Sequence, residues 1–324
     1  MSSCLRGYFL VKITKHHIFR IVQVVILAAI GYFLARNLVE LDWPAFFQSL
    51  VQANRWFLAL SMIMTVGGGL LVALGWGFIL RALGQKISHG EILRVYYLSE
   101  LAKYVPGKIW TAVGRVMMLE KKGVPRLITI ASVGVMLIIL AVSGVLIALV
   151  SLPLWPSLEV AGDSRLVILL VALVPIGLAL LHPRIFQPVL NWFLRKVEHV
   201  EARVNLRYSS ILLLVLYWCG LWVIKGTATY LLLTILPGDI FAAHPLPSYS
   251  WLLFSGIMAV SWILGTISPL TPAGLGIAEL SIVVLLESLF SIPVGYGTIF
   301  AVFIRIWSVV AELICVGITC RLKS

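Results

Sequence analysis

The chain has 324 residues, of which 61% are hydrophobic and 12% charged, and its net charge is +12. A soluble domain carries about 25% charged residues, so this composition excludes a soluble globular protein and indicates that lipid surrounds most of the surface. The basic residues are scattered over short loops, which argues against nucleic-acid binding.

Apolar segments of about 20 residues, the length that crosses a bilayer, recur along the chain. They occupy residues 21–39, 56–80, 127–152, 165–181, 209–236, 251–268, 272–289 and 296–320. Six of these eight are predicted to cross fully, whereas 251–268 and 272–289 are separated by a Pro-rich break. The sequence therefore predicts an all-α polytopic membrane protein.

The distribution of Lys and Arg predicts the topology, because positive residues near helix ends mark the cytoplasm. Residues 1–20 hold four such residues, 81–126 nine, 182–208 five and the tail two, whereas the opposite segments hold only Arg36 and Arg55. We expect a cytoplasmic segment 1–20, one transmembrane domain 21–320 and a cytoplasmic tail 321–324. The protein is thereby predicted to be a multi-pass protein of the cytoplasmic (inner) membrane with both termini in the cytoplasm.

Residues 91–120 are too polar to span a membrane but have apolar side chains at helical spacing. Pro106 and Gly107 interrupt them, since Pro removes a backbone donor and Gly permits a tight turn. The pattern predicts two short helices joined by a break. This hairpin either lies on the cytoplasmic surface or re-enters the membrane, surrounded there by protein or a wet cavity.

A second helix–break–helix pattern occupies residues 251–289, where Pro272, Gly274 and Gly276 form the break and Glu279 follows. By the charge rule the first hairpin enters from inside and the second from outside. Residues 56–152 and 209–320 are therefore predicted to be an inverted-topology repeat. In transporters, interrupted segments at matching positions point to a substrate site near the midplane.

These two breaks carry a family resemblance. The string LAKYVPGKIW at 101–110, followed by Gly114-Arg115 and Gly123, resembles the first motif of the lysylphosphatidylglycerol synthase transmembrane-region family. The string TPAGLGIAE at 271–279 is similar to its second motif, P-x-G-x-G-x-x-E. The resemblance covers roughly residues 15–320.

The resemblance implies a flippase-like membrane domain. Relatives join this domain to a cytosolic aminoacyl-transfer domain, make an aminoacylated phospholipid and flip it. This chain leaves no room for that synthase domain, so the resemblance implies the translocating half, acting on a phospholipid or glycolipid of the cell envelope. Partnership with envelope-lipid biosynthetic enzymes and a homodimer both remain open.

A charged group at the bilayer centre costs roughly 2.5 kcal/mol or more, so a lipid translocase needs a polar cavity for the headgroup. Lys103, Lys108 and Arg115 are suited to a phosphate, and a half-helix starting at 272–276 would aim free N–H groups at it. Glu279 is predicted to pair with Arg305 inside the last helix. The predicted cavity residues are Lys103, Tyr104, Lys108, Arg115, Lys225, Glu279 and Arg305.

Each assignment has a structural alternative. The two lysines can snorkel to the interface, and Arg115 can be buried in protein because Gly114 lets another helix approach closely. Glu279 and Arg305 can form a purely structural pair. The glycines at 67–69, 75 and 77 are interpreted as sites of close helix packing.

The sequence predicts no catalytic residue, metal or cofactor. The four cysteines form no CxxC pair. A rival hypothesis is a glycosyltransferase that uses a polyprenyl-phosphate sugar, with Glu40 and Asp42 in the first outer loop holding a metal. A third hypothesis is a non-transporting scaffold for another envelope enzyme.

Overall fold

The computed structural model describes most of the chain after residue 42. The described residues are 32, 36, 39, 43–104, 109–155, 172, 175–179, 182–185, 188–189, 191–192, 208–238, 240, 246–267 and 276–321. Within these ranges all regular structure is helical and no strand occurs, as the composition predicts.

The helices of the described residues differ widely in length, from 10 to 28 residues. In chain order they are α1 (Trp43–Gln52), α2 (Arg55–Ala82), α3 (His89–Glu100), α4 (Trp110–Glu120), α5 (Arg126–Ser151), α6 (Tyr208–Leu231), α7 (Ser250–Ile267), α8 (Ile277–Phe290) and α9 (Val294–Arg321). Short 3₁₀ segments extend α3 as Leu101–Tyr104, α5 as Leu152–Leu154 and α6 as Leu232–Ile235.

Five helical segments are long and apolar enough to cross a membrane. They are α2, α7 and α9, together with α5 and α6, which each include a 3₁₀ extension. Four of them confirm the predicted spans 56–80, 127–152, 209–236 and 296–320. Most residues of the predicted spans 21–39 and 165–181 lie outside the described residues. The fifth segment, α7, was predicted as half of a hairpin, but its 18 residues meet the length and composition of a crossing helix. The chain is a multi-pass membrane protein.

Two apolar cores occupy opposite ends of the helix bundle. The first core includes Trp76, Ile92, Leu119, Ile139 and Trp218, and the second core includes Leu233, Phe254, Leu286, Phe290 and Phe300. Along α6 the first core takes residues 211–221 and the second core takes 232–236, just beyond the helix. Along α9 the order is reversed, because 299–304 belong to the second core and 315 to the first. Helices α6 and α9 therefore run in opposite directions.

Helices α3 and α4 form an antiparallel hairpin at the first core. Near the open end, Lys122 Nζ lies 2.5 Å from Glu91 Oε1. Near the closed end, Gly114 lies against Ser99, so closely that a β-carbon on the glycine would be 3.2 Å from Ser99 Cβ. The two short helices predicted within 91–120 are confirmed, while the break at 105–108 lies outside the described residues.

Helices α7 and α8 form a second hairpin, at the opposite core. Phe254, near the start of α7, stacks on Phe290 at the end of α8 with ring centroids 5.7 Å apart. The two helices are therefore antiparallel, and their connection at 268–275 lies outside the described residues. Helix α8 has 14 residues and is about 21 Å long, too short to cross about 30 Å of hydrocarbon.

Glycine positions bring the spans close together. A β-carbon on Gly75 of α2 would lie 2.8 Å from the Tyr217 ring of α6, and one on Gly77 would lie 2.6 Å from Ile92 of α3. The prediction of close packing is thus confirmed at both glycines. Gly67 is different, since no atom lies within 4 Å of its ideal β-carbon.

Candidate functional site

Helix α9 carries two opposite charges on one face, between the two cores. Arg305 and Glu312 are seven residues apart, which is two helical turns or about 10 Å. Arg305 directly follows the last second-core residue of α9, and Glu312 precedes Cys315 of the first core. Both side chains are about a quarter exposed. Each pairs with the tip of a different hairpin.

Glu312 pairs with the tip of the first hairpin. The Lys103 ammonium, on the 3₁₀ turn that ends α3, donates a hydrogen bond to Glu312 Oε1. The same ammonium lies 3.5 Å from Glu100 Oε1. Lys103 is therefore held between two carboxylates, one from its own hairpin and one from α9, and all three side chains are 22–24% exposed.

Arg305 pairs with the tip of the second hairpin. Glu279, in the first turn of α8, lies with its Oε1 3.7 Å from Arg305 Nη1. Its other oxygen, Oε2, accepts a 2.7 Å hydrogen bond from the Gly276 N–H. Gly276 has φ +85°, a left-handed conformation that glycine adopts without a β-carbon clash. The P-x-G-x-G-x-x-E motif thus ends in a carboxylate that caps its own helix and faces a cation of α9.

Lys225 lies midway along the third long span, between the first-core and second-core residues of α6. Its ammonium lies 5.5 Å from the centre of the Trp222 ring. The side chain is exposed, and yet its charge interacts with those of Lys103, Glu312 and Arg305. A lysine facing the lipid tails would not have three charged neighbours from other elements. Lys225 therefore lies on the side of α6 that is turned toward these charged residues.

We call Lys103, Lys225, Glu279, Arg305 and Glu312 the charged cluster. Its three cations face two carboxylates, so these five side chains carry an excess positive charge of one. Within the described part of the chain, the buried Nη2 atom of Arg305 has no hydrogen-bond partner. An unpaired guanidinium donor can bind an anion, because its planar fork matches carboxylate and phosphate oxygens.

Arg115 is enclosed by protein beside this cluster. The side chain is 2% exposed, and its Nη2 lies 3.0 Å from Glu100 Oε2. Its guanidinium carbon lies 4.9 Å from the Trp76 ring centre and 4.4 Å from that of Tyr96. The predicted alternative of burial next to Gly114 is confirmed. Arg115 holds Glu100 in place, and Glu100 in turn contacts Lys103.

The structure brings together four of the predicted cavity residues, namely Lys103, Lys225, Glu279 and Arg305. The predicted pair of Glu279 and Arg305 is confirmed as a contact. Lys108 and the break residues Pro106, Gly107, Pro272 and Gly274 lie outside the described residues, as does the Tyr104 side chain.

Glu312 is not among the cavity residues predicted from the sequence, because it stands near the end of the last apolar segment. Helix α9 continues to Arg321, so Glu312 is about 13 Å from the helix end and its carboxylate lies inside the bundle. Its spacing of seven residues from Arg305 was the available signal, since that spacing places both charges on one helix face.

A comparison against known families places the chain in one of them. The family model for the lysylphosphatidylglycerol synthase TM region matches residues 20–315, nearly the whole chain. No curated protein matches the chain significantly. The matched range contains both hairpins and all five residues of the charged cluster. The chain therefore belongs to the lysylphosphatidylglycerol synthase transmembrane-region family.

Proposed function

We propose that this protein is a lipid translocase, which moves an anionic phospholipid or glycolipid headgroup across the cytoplasmic membrane during envelope biogenesis. One observation carries the proposal: the charged cluster lies between two apolar cores, and four of its five side chains remain partly or fully exposed. Ionisable groups inside a membrane domain are costly and are found on substrate pathways. The acyl chains would stay in lipid while the headgroup crosses the cluster.

The charge of the cluster fits a phosphate headgroup. A phosphodiester carries one negative charge, which would balance the excess of one positive charge in the cluster. The unpaired Nη2 of Arg305 and the exposed ammonium of Lys225 are the donors best placed to hydrogen-bond the phosphate oxygens. Because both belong to long helices, the binding groups are held on rigid elements.

The hairpin geometry supports an inverted repeat. The first hairpin packs at the first core and the second hairpin at the opposite core. Both tips carry a residue of the charged cluster, Lys103 on one and Glu279 on the other. Two helical hairpins whose tips meet at such a cluster would form a site within the membrane that opens to each side in turn.

The proposed orientation follows from charge. The first-core ends of α2 and α5 are the ones that carry Arg81 and Arg126, and α9 ends at Arg321. Positive residues concentrate on the cytoplasmic side, so the first core would face the cytoplasm, with both termini on the same side.

The test is translocation in reconstituted liposomes that contain fluorescent phosphatidylglycerol, measured by its accessibility to a membrane-impermeant reductant. We expect transport above that of empty vesicles. Arg305→Gln and Lys225→Gln should each slow it about tenfold, the effect of losing one charge-assisted hydrogen bond.

The matched control is Arg126→Gln. Arg126 has a 63% exposed side chain paired with Glu120 at the predicted cytoplasmic surface, so this variant should transport at the wild-type rate. Transport no faster than in empty vesicles would contradict the proposed translocase activity. Wild-type rates in both Arg305→Gln and Lys225→Gln would show that the headgroup does not pass through the charged cluster.

A further inference from the structure

We infer that Glu312 is a charge-selective gate on the lipid path. Its carboxylate stays paired with the Lys103 ammonium until an anionic headgroup displaces it, and it then turns to Lys225. The inference rests on the proposed function, since it names the residue that selects the headgroup of that site. Its basis is the arrangement of Lys103, Glu312, Glu100 and Lys225.

The carboxylate of Glu312 occupies the place that a headgroup phosphate would take. It accepts a hydrogen bond from the Lys103 ammonium, which is the contact that a phosphate oxygen would make. In the described structure, the ion pair joins the first hairpin tip to α9 between the two cores. It lies about 10 Å nearer the first core than Arg305 does. A headgroup arriving from the first-core side would therefore meet Lys103 before Lys225 and Arg305.

Opening this pair leaves neither partner without a counter-charge. Lys103 keeps Glu100, whose Oε1 is 3.5 Å from its ammonium. Glu312 would turn to the ammonium of Lys225, an exposed cation of the same charged cluster. Removing one partner of a buried ion pair is ordinarily very unfavourable because it strands the other charge. Here the second partners would reduce that penalty, which is what a two-state switch requires.

Such an exchange selects by charge. An anion can replace the carboxylate on Lys103, whereas a neutral headgroup or one whose own cation offsets its phosphate competes poorly for the same ammonium. Arg115 contributes indirectly, because its buried guanidinium binds Glu100 and so holds that carboxylate next to Lys103. Glu312 thus determines specificity and is not itself a carrier of the lipid.

The first test compares two fluorescent lipids, phosphatidylglycerol and phosphatidylcholine, in vesicles that contain the full chain. Glu312→Gln removes the gate charge and should raise phosphatidylcholine transport, lowering the ratio of the two rates about fivefold. Glu287→Gln is the matched control, because Glu287 is an exposed residue of α8 outside the cluster, and it should leave the ratio unchanged. An unchanged ratio in Glu312→Gln overturns the inference.

The second test locks the pair reversibly. Lys103→Cys and Glu312→Cys are combined in a chain whose four native cysteines are replaced, and a short bifunctional thiosulfonate joins the two thiols. Phosphatidylglycerol transport should stop after cross-linking and return to its earlier rate when a reductant cleaves the link. Equal rates before and after reduction would overturn the gate while leaving the proposed translocase intact. Absence of transport by the wild-type chain would instead remove the proposed function itself.

Discussion

Arg305 and Glu312 lie two turns apart on one face of α9, and each pairs with the tip of a different hairpin. Arg305 contacts Glu279 at 3.7 Å, and Glu312 accepts a hydrogen bond from Lys103. The polarity is reversed between the two contacts, because the first tip offers a cation and the second offers a carboxylate. A single helix thus joins both hairpins through side chains that are about a quarter exposed.

Glu279 makes two contacts that should stabilise the second hairpin. Glu279→Gln removes the ion pair with Arg305 and weakens the hydrogen bond to the Gly276 N–H. We expect a loss of about 1–3 kcal/mol in the free energy of unfolding, because the carboxylate is only 8% exposed and its removal leaves the Arg305 guanidinium without its counter-charge. Thermal melting in detergent, followed by size-exclusion chromatography, measures this effect.

The control for that prediction is Glu287→Gln on the same helix. Glu287 is exposed, and surface substitutions usually change stability by about 0.5 kcal/mol or less. Equal melting temperatures of the two variants would show that the Glu279 contacts do not stabilise the second hairpin.

Arg115 cannot be replaced by lysine without loss. Its guanidinium lies near two aromatic rings and also binds Glu100, and an ammonium cannot reproduce both the planar stacking and the forked hydrogen bonds. Arg115→Lys should destabilise the protein by about 1–3 kcal/mol, with a lower melting temperature. Arg94→Lys, at an exposed position of α3, should melt like the wild type. Equal melting temperatures of the two variants would contradict a stabilising role for the Arg115 contacts.

The contact between α6 and α7 depends on a glycine. A β-carbon on Gly226 would overlap the backbone of Ser255, whereas one on Gly220 of the same helix would meet no atom within 4 Å. Gly226→Ala should therefore cost about 1–3 kcal/mol by overpacking. Gly220→Ala should be neutral or stabilise by up to about 1 kcal/mol through helix propensity. Melting temperatures that fail to separate the two variants would contradict the close approach of these helices.

The outer end of the first hairpin should respond to acid. Lys122 donates a hydrogen bond to Glu91 and lowers the pKa of that carboxyl below its ordinary value. A carboxyl with a depressed folded-state pKa stabilises the protein above its unfolded-state pKa and loses that contribution as pH falls through the folded-state pKa. The contribution is complete at neutral pH and is at most about 1 kcal/mol, because the pair is partly exposed.

The measurement is the melting temperature between about pH 7 and about pH 3, for wild type and Glu91→Gln. The variant should lose less stability on acidification, and the difference at neutral pH should shrink in high salt. Parallel curves for the two proteins would show that this pair contributes nothing to acid sensitivity.

Much of the architecture could be predicted from the sequence because lipid imposes a simple rule on composition. The length of the apolar segments predicted the positions of α2, α5, α6 and α9. The Pro- and Gly-containing breaks predicted the positions of both hairpins. The contact between Glu279 and Arg305 was also predictable, since each is an ionisable residue in an apolar segment near the other along the chain, and such groups need a partner.

The partner of Lys103 could not be predicted in this way. Lys103 and Glu312 are 209 residues apart, and their contact depends on how the first hairpin packs against the last span. The aromatic surroundings of Arg115 have the same origin, because Trp76 comes from α2 and Tyr96 from α3. Hydropathy indicates that a polar group needs a partner, but the packing of distant helices decides which partner it finds.

The most direct test of our account is the aqueous reactivity of a cysteine at position 225. Lys225→Cys and Leu216→Cys both place a thiol at an exposed position of α6. We expect only the first thiol to lie in a wet cavity and the second to lie against lipid tails. An anionic, membrane-impermeant thiosulfonate should label Lys225→Cys readily, phosphatidylglycerol should slow that labelling more than phosphatidylcholine does, and Leu216→Cys should remain unlabelled. Equal labelling of the two cysteines, or labelling of Lys225→Cys that no anionic lipid slows, would contradict a headgroup path through the charged cluster.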